Sequence, residues 1–151
     1  MEHLLELILI CLFPGIELRG SIPIGILVFG MDPLLVIPIS IIINILLIPF
    51  SFFVFDVFWK VLSRISLFNK YVNRLRKKSK PHLKKYGFWG LLFFVAIPLP
   101  ATGAYTGSLV AWLVGIDRKK AFLAITVGII IAAALVSAIT LGALGALEWL
   151  L

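Results

Sequence analysis

The chain has 151 residues, of which 62% are hydrophobic and 14% are charged, and its mean hydropathy is +1.14. Soluble domains are about 45–50% apolar, so this composition excludes an ordinary soluble domain. The formal charge of +7 would favour nucleic acid as a partner of a soluble protein, but here the basic residues stand between long apolar stretches. We therefore predict an all-α integral membrane protein that forms one membrane domain, residues 1–151, with no nucleic-acid partner. The first residues are acidic, so we expect no cleaved signal peptide.

The first apolar stretch, residues 7–30, is interrupted near its centre by residues that break helices. These residues are Pro14, Gly15, Gly20 and Pro23. Proline removes a helix hydrogen bond, and glycine adds backbone freedom. The apolar flanks, each roughly 7–10 residues long, would reach about half of the ~30 Å hydrocarbon core. We therefore predict a re-entrant helical hairpin that turns at mid-depth, with a kinked full-span helix as the alternative.

Two uninterrupted apolar stretches, residues 34–58 and 121–147, are predicted transmembrane helices. Between them lies a second interrupted stretch, residues 88–115, for which we predict a second re-entrant hairpin. Its tip residues are Pro98, Pro100, Gly103 and Gly107. The last helix also has small residues at every fourth position, a spacing that permits close packing within the chain or in a homo-oligomer. These small residues are Ala134, Ala138, Gly142 and Ala146.

The two halves of the chain repeat the same order of elements. A shift of 85 residues superposes three pairs, which are Ser21 with Thr106, Gly30 with Gly115 and Asp32 with Asp117. Each half has a broken stretch, a Gly-x-Asp turn and a long apolar helix. This order predicts an inverted repeat, with repeat 1 at residues 4–58, a basic segment at residues 59–86 and repeat 2 at residues 87–147.

The basic residues predict the orientation of the chain. Ten of the 14 Lys and Arg residues lie in Lys60–Lys85, and three more form Arg118–Lys120. If both broken stretches are re-entrant, both groups face the cytoplasm of a multi-pass cell-membrane protein, as the positive-inside rule prefers. The apolar spacing within Lys60–Lys85 predicts an amphipathic helix on an anionic leaflet. The alternative is that these charges only set the topology.

Glu17 and Arg19 are the strongest candidates for function. Ionisable residues inside a membrane are costly and face a protein interior or a water-filled cavity. They could bind a substrate headgroup or carry a coupling proton. The alternative is a structural ion pair, formed with each other or with Asp56, which holds the shape of the tip. Asp56 lies near the end of its helix, where we expect solvation at the membrane interface, with a pair to Lys60 as a further option, and it is a weaker candidate for substrate or proton binding.

Four hydroxyl groups flank the predicted tips. Ser21 and Thr106 stand where each tip turns into an outgoing half-helix, so we expect them to cap free N–H groups. The ends of these half-helices would carry partial positive charge and, with Arg19, would favour an anionic group. Thr102 and Tyr105 could add further hydroxyl donors. No nucleotide loop, pair of metal-binding histidines or Ser-His-Asp set is present, so we expect no enzymatic activity, metal or cofactor.

Three motifs carry a family resemblance. They are Glu17–Gly25 (ELRGSIPIG), Lys85–Gly90 (KYGFWG) and Ile97–Gly107 (IPLPATGAYTG). In their order and spacing they resemble the small multidrug export protein family, which looks like a distant branch of the DedA/VTT membrane protein superfamily. That resemblance implies two re-entrant hairpins and a role in moving polyprenyl phosphates or phospholipids. DedA members carry basic residues around the second tip, whereas residues 98–107 are uncharged here.

Three functions are compatible with these patterns. The leading hypothesis is a transporter or scramblase of DedA/VTT type for a lipid with an anionic headgroup. The second is a proton-coupled exporter of small cationic compounds, in which Glu17 exchanges a proton for the cation. The third is a membrane assembly factor that transports nothing. Membrane lipids, a coupling proton and a second copy of the chain are the expected partners.

Overall fold

The computed structural model describes residues 3–62, 66–99 and 102–150, without the side chains at 61–62, 66–68, 76, 78–86 and 147–150. The described residues form six α-helices and one π-helical segment, and they contain no β-strand. The elements in chain order are α1 (Leu4–Leu12), α2 (Glu17–Pro23), the π segment (Ile24–Val28), α3 (Pro33–Leu62), α4 (Ser66–Ala96), α5 (Ala104–Val114) and α6 (Arg118–Leu150). The prediction of an all-helical chain is confirmed for this part of the protein.

Two of these helices are long and apolar enough to cross a membrane. The apolar part of α3 is Pro33–Lys60, with 28 residues, and that of α6 is Arg118–Ala146, with 29 residues. At 1.5 Å per residue each measures about 42 Å, which exceeds the ~30 Å hydrocarbon core. The two spans predicted from the sequence therefore correspond to real helices, each a few residues longer than expected.

The same turn precedes both long helices. Gly30 and Gly115 adopt the left-handed conformation, with φ of 60° and 83°. The Asp32 carboxylate then accepts the N–H of Leu34 at 2.8 Å, and the Asp117 carboxylate accepts the N–H of Lys119 at 3.1 Å. Each aspartate thus caps the first turn of the helix that follows, where N–H groups lack helical partners. The 85-residue correspondence holds for the local geometry of this turn.

Each of α3 and α6 follows a pair of helical arms that are joined by a break. The first break comprises residues 13–16, between α1 and α2, and includes Pro14 and Gly15. The second comprises residues 97–103, between α4 and α5, and includes Pro98 and Gly103. Pro100, also predicted at this tip, lies outside the described residues.

Both breaks are shorter than predicted, because three of the predicted tip residues lie inside helices. Pro23 ends α2, and the chain continues directly into the π segment, where the Phe29 N–H bonds the Ile24 carbonyl at 3.0 Å. Pro23 therefore lies in continuous helical backbone and not at a turn. Gly20 lies within α2, where a Cβ would collide with the side chain of Ile16. Its small size therefore serves packing and not a turn.

Gly107 is the third predicted tip residue that lies inside a helix. It stands in the first turns of α5, and a Cβ at this position would lie 2.7 Å from Val95 Cγ2 of α4 and 3.4 Å from Ile125 Cγ1 of α6. Glycine thus lets three helices approach closely. The small residues predicted to mediate packing, Ala134, Ala138, Gly142 and Ala146, are instead exposed on the outer face of α6. The core side of that helix carries Ala124, Ile125 and Gly128.

Contacts between distant residues fix how the arms lie along the long helices. At one end, the rings of His3 and Phe29 stack with centroids 4.6 Å apart, which brings the start of α1 to the end of the π segment. At the other end, Arg118 and Asp56 form an ion pair of 2.7 Å, which joins the start of α6 to the end region of α3. The two breaks lie between these ends. The predicted basic segment continues as α4 into the second apolar stretch, without a helix boundary at residue 86.

We expect the Gly107→Ala variant to be less stable than the wild type by about 1–3 kcal/mol, the usual effect of overpacking. The added methyl group meets Val95 Cγ2, so Val95→Ala in the same chain should relieve most of this loss. Gly142→Ala is the matched control, because nothing lies within 4 Å of its Cβ position. The measurement is thermal unfolding of the purified protein in detergent. Additive effects of Gly107→Ala and Val95→Ala would contradict the contact.

Candidate functional site

The two breaks meet at Glu17. This residue begins α2 with φ of 48°, and it is the one non-glycine residue with positive φ in the part of the chain that the structure describes. Its side chain is 4% exposed and crosses to the second break. There the carboxylate accepts the Ala104 N–H at 2.7 Å and the Tyr105 N–H at 3.2 Å. Glu17 therefore caps a helix that begins 87 residues later in the chain.

Gly103 provides the space for this contact. It is the N-cap residue of α5, so the helix has no capping side chain of its own at that position. Its φ of −173° is extended and open to any residue, but a Cβ would overlap the Glu17 carboxylate. The N-terminus of α5 carries partial positive charge, which the carboxylate neutralises. Gly103 is thus required by its tertiary contact with Glu17, which no local sequence pattern predicts.

Arg19 plays the opposite role at the end of α4. One guanidinium nitrogen, Nη2, donates to the Val95 carbonyl at 2.7 Å and to the Ile97 carbonyl at 3.3 Å. The last carbonyls of a helix lack helical partners and carry partial negative charge, so a cation is favoured there. Glu17 and Arg19 therefore complement the two helix ends that flank the second break.

The two charged side chains are close, but their contact does not satisfy all hydrogen-bond donors of Arg19. Arg19 Nη1 lies 4.0 Å from Glu17 Oε2, at the outer limit of an ion pair. Arg19 Nε is buried and has no hydrogen-bond partner among the described residues. We call the place where Glu17 and Arg19 contact the second break the junction. A guanidinium offers five N–H donors, so Arg19 keeps unused donors there after binding both carbonyls.

Thr102 of the second break and two residues in the first turn of α5 complete the junction. The Tyr105 hydroxyl of α5 donates to the Leu12 carbonyl at 2.9 Å, so the start of α5 is also bonded to the end of α1. The Thr102 hydroxyl lies 2.9 Å from the carbonyls of Ile97 and Leu99 and satisfies carbonyls within the break. Thr106 Oγ1 accepts the Gly103 N–H at 2.9 Å, which is the capping role expected of it.

Ser21 does not cap a helix, contrary to the prediction. It lies inside α2, because the helix starts at Glu17 with Ile16 at the N-cap position. Its hydroxyl shares a 2.8 Å hydrogen bond with the Ser40 hydroxyl of α3. The buried Cys11 thiol lies 3.6 Å from the same Ser40 oxygen. These three residues form a second buried polar cluster, which sequence reasoning missed because it joins three helices.

Asp56 lies away from the junction. Its carboxylate accepts the Trp112 Nε1–H at 3.1 Å and an Arg118 Nη2–H at 2.7 Å. Trp112 lies near the end of α5, and Ala104, which binds Glu17, begins that helix. Eight residues of helix separate them by about 12 Å. Asp56 therefore lies near the opposite end of α5, and no sequence pattern indicated its indole partner.

The junction is made of protein groups that bind anions and cations, not of metal ligands. No group of three or more His, Cys, Asp and Glu side chains is gathered anywhere in residues 3–62, 66–99 and 102–150. Of the predicted candidates, the structure brings Glu17, Arg19, Tyr105, Thr102 and Thr106 to the breaks. The backbone carbonyls and N–H groups that complete the junction were beyond sequence reasoning.

Comparison with known families agrees with the predicted resemblance. Residues 17–135 match the model of the family described as "Putative small multi-drug export protein". This match covers most of the chain and starts at Glu17. The chain belongs to this family. With its two long apolar helices, it is a membrane protein. No curated protein and no solved structure matches the chain.

We expect Gly103→Ala to displace the Glu17 carboxylate from the start of α5 and to lower stability by about 1–3 kcal/mol. In a Glu17→Ala background the colliding atoms are gone, so Gly103→Ala should then cost little, because its extended backbone suits any residue. Gly90→Ala is the control, since its Cβ position is open. Thermal unfolding in detergent gives the double-mutant cycle. An equal loss from Gly103→Ala in both backgrounds would refute the displacement.

Proposed function

We propose that this protein is a membrane transporter or scramblase that moves a lipid with an anionic headgroup, such as a polyprenyl phosphate or a phospholipid. The observation that carries the proposal is the carboxylate of Glu17 on the N-terminus of α5, beside Arg19. A helix N-terminus with an adjacent guanidinium is a site for phosphate. In the present conformation the protein's own carboxylate fills that site.

The unused donor of Arg19 supports an exchangeable site. If Glu17 and Arg19 were only structural, full hydrogen bonding would be expected at a buried guanidinium. Arg19 Nε is buried without a partner in the described part of the chain, so an incoming phosphate finds a donor there. The left-handed backbone of Glu17 is a further sign, because strained residues tend to occur at functional sites.

Exchange at this site would couple lipid movement to a proton. A phosphate on the N–H groups of Ala104 and Tyr105 must displace the Glu17 carboxylate. Two anions cannot share so small a buried volume, because like charges disfavour each other's ionised form. Glu17 therefore takes up a proton as the phosphate binds and releases it when the carboxylate returns. In this mechanism Arg19 holds the headgroup, and Glu17 is both the internal competitor and the proton carrier.

We further propose that α1 with α2, and the end of α4 with α5, are re-entrant hairpins of opposite orientation. The arms support this, because α5 has 11 residues and measures about 16 Å, roughly half of the hydrocarbon core. The contact of Asp56 with Arg118 also supports it, since it brings the basic group Arg118–Lys120 to the end of α3 that leads into Lys60–Lys85. Both groups then lie in the cytoplasm.

This arrangement accounts for the departure from the DedA pattern. The second break has no basic residue of its own, but Arg19 of the first break reaches the carbonyls of Val95 and Ile97. The cation expected near the second tip is thus contributed by the other half of the chain. We infer from this contact that the resemblance to the DedA/VTT superfamily extends to the chemistry of the centre.

A proton-coupled exporter of small cationic compounds is the second candidate, and the family description favours it. Glu17 would exchange its proton for the cation. The surroundings of Glu17 favour the anionic substrate instead, because the carboxylate already has two N–H donors and Arg19 within 4.0 Å. A cation at this carboxylate would be repelled by the guanidinium.

Labelling of single cysteines tests the orientation. In a Cys11→Ala background, Leu34→Cys and Asn73→Cys should react with an impermeant maleimide from opposite sides of the membrane. Asn73→Cys and Lys120→Cys should react from the same side. The wild type, whose Cys11 is buried, is the control for background labelling. Reaction of positions 73 and 120 from opposite sides would make residues 87–116 a full span.

Liposomes test the substrate. We expect the wild type to exchange fluorescent phosphatidylglycerol between leaflets, measured by dithionite bleaching, and Arg19→Gln to abolish this exchange while the protein stays folded. Glu17→Gln should remove the pH dependence of exchange and leave a passive rate. Arg74→Gln and Glu6→Gln, at exposed positions, are the matched controls.

The Glu17→Gln/Arg19→Gln double variant separates the roles. If Arg19 binds the headgroup, the double variant stays inactive. An unpaired buried charge costs several kcal/mol, so a purely structural pair would lose stability in each single variant and regain it in the double. Recovery of both stability and exchange in the double variant would exclude the proposal. Efflux of a cationic dye against a proton gradient, without lipid exchange, would favour the second candidate.

A further inference from the structure

A groove between α3 and α6 lies apart from the junction of the breaks. Its volume is about 480 Å³, within the roughly 300–1,000 Å³ of typical ligand sites. The residues that line it are Pro49, Phe52, Arg118, Lys119, Phe122 and Leu123. Four of these side chains are apolar, and the two basic ones follow each other at the start of α6. The groove is thus apolar along its length and positively charged at one end.

The charged end is held in place by neighbouring residues. Asp56 binds Arg118 through Nη2 at 2.7 Å, which leaves the other guanidinium donors available for a ligand. The second acidic group nearby, Asp117, accepts the backbone N–H groups of Lys119 and Lys120. The two basic residues of the lining are thus accompanied by two carboxylates, both of which already have partners. This end favours a further anion.

The apolar part runs from this end towards the middle of the long helices. Pro49 precedes Asp56 by seven residues, which is about 10 Å along α3. Phe122 and Leu123 lie about one turn beyond Arg118 on α6. Phe52 forms the buried wall, whereas Leu123 is exposed at 57% and leaves the groove open to the side. Both helices are the candidate membrane spans, so the open side faces the hydrocarbon of the bilayer.

We propose that this groove binds one anionic phospholipid as a resident ligand. Its phosphate is held by Arg118 and Lys119, and one acyl chain lies along Pro49, Phe52 and Leu123. Basic pockets between membrane helices on the cytoplasmic side are suited to lipid headgroups. This lipid is distinct from the transported one, because the groove lies at the end of α5 opposite to Glu17.

The test uses the full chain in detergent and native mass spectrometry, with dioctanoyl phosphatidylglycerol as the probe. We expect one saturable site. Lys119→Gln keeps the Asp56–Arg118 pair and should weaken binding about tenfold, the effect of losing one charged hydrogen bond. Leu123→Trp should weaken it at least as much by filling the groove. Lys70→Gln, at an exposed position of α4, is the charge-matched control and should bind as the wild type.

Comparison probes identify what the site recognises. Dioctanoyl phosphatidylcholine should bind far more weakly than the phosphatidylglycerol, and glycerol 3-phosphate should not bind measurably. Equal binding of phosphatidylcholine would overturn the role of the charges, and equal binding of glycerol 3-phosphate would overturn the role of the acyl chain. An equal loss of phosphatidylglycerol binding in Lys70→Gln and Lys119→Gln would mean that the lipid is attracted only by the overall positive charge. That result would contradict the site.

The Arg19→Gln variant separates this site from the transport site. We expect it to retain the phosphatidylglycerol adduct, because Arg19 does not line the groove. Loss of the adduct in Arg19→Gln, with normal binding in Leu123→Trp, would place the lipid at the junction of the breaks and overturn the groove. Loss of lipid exchange in Arg19→Gln concerns only the transport site, and it leaves the measurement of the phosphatidylglycerol adduct at the groove unchanged.

Discussion

Buried backbone groups at a helix break need hydrogen-bond partners, and each one left without a partner costs several kcal/mol. This constraint governs the present structure. The N–H groups that open α5 are bound by Glu17, and the carbonyls that close α4 are bound by Arg19. The carbonyl that closes α1 is bound by Tyr105, in the first turn of α5. Each half of the chain therefore supplies hydrogen-bond partners to the break of the other half, in addition to the bonds that Thr102 and Thr106 make within their own half.

The cap that stabilises the break is also what a substrate would have to replace. A tethered carboxylate competes with a free anion at an effective concentration set by its short tether, so any phosphate at this site binds more weakly than it would to an empty one. Weak binding suits a transporter, which must release what it takes up. The same contact of Glu17 with the start of α5 thus stabilises the break when no substrate is bound and, in the proposal, is replaced when a substrate binds.

The sequence predicts the order of the elements well, because that order rests on local physics. The long helices follow from apolar runs, and the turns at Gly30 and Gly115 follow from the Gly-x-Asp pattern. The predicted lengths of the breaks were wrong, because Pro23 lies in continuous helical backbone and Gly107 serves helix packing. Glu17 and Arg19 stand out as charges in an apolar stretch. Their partners do not, because backbone N–H and carbonyl groups far along the chain carry no sequence signal.

The two halves share the left-handed glycine and the aspartate cap before each long helix, but they differ in charge. A shift of 85 residues places Glu17 on Thr102 and Arg19 on Ala104, beside Tyr105. Arg19 and Tyr105 perform the same task, since each reaches the last carbonyls of the opposite incoming helix. Glu17 has no such counterpart, because Thr102 binds carbonyls within its own break. In the described part of the chain, the first half therefore supplies the two charged side chains, and the second half supplies the helix ends that they bind.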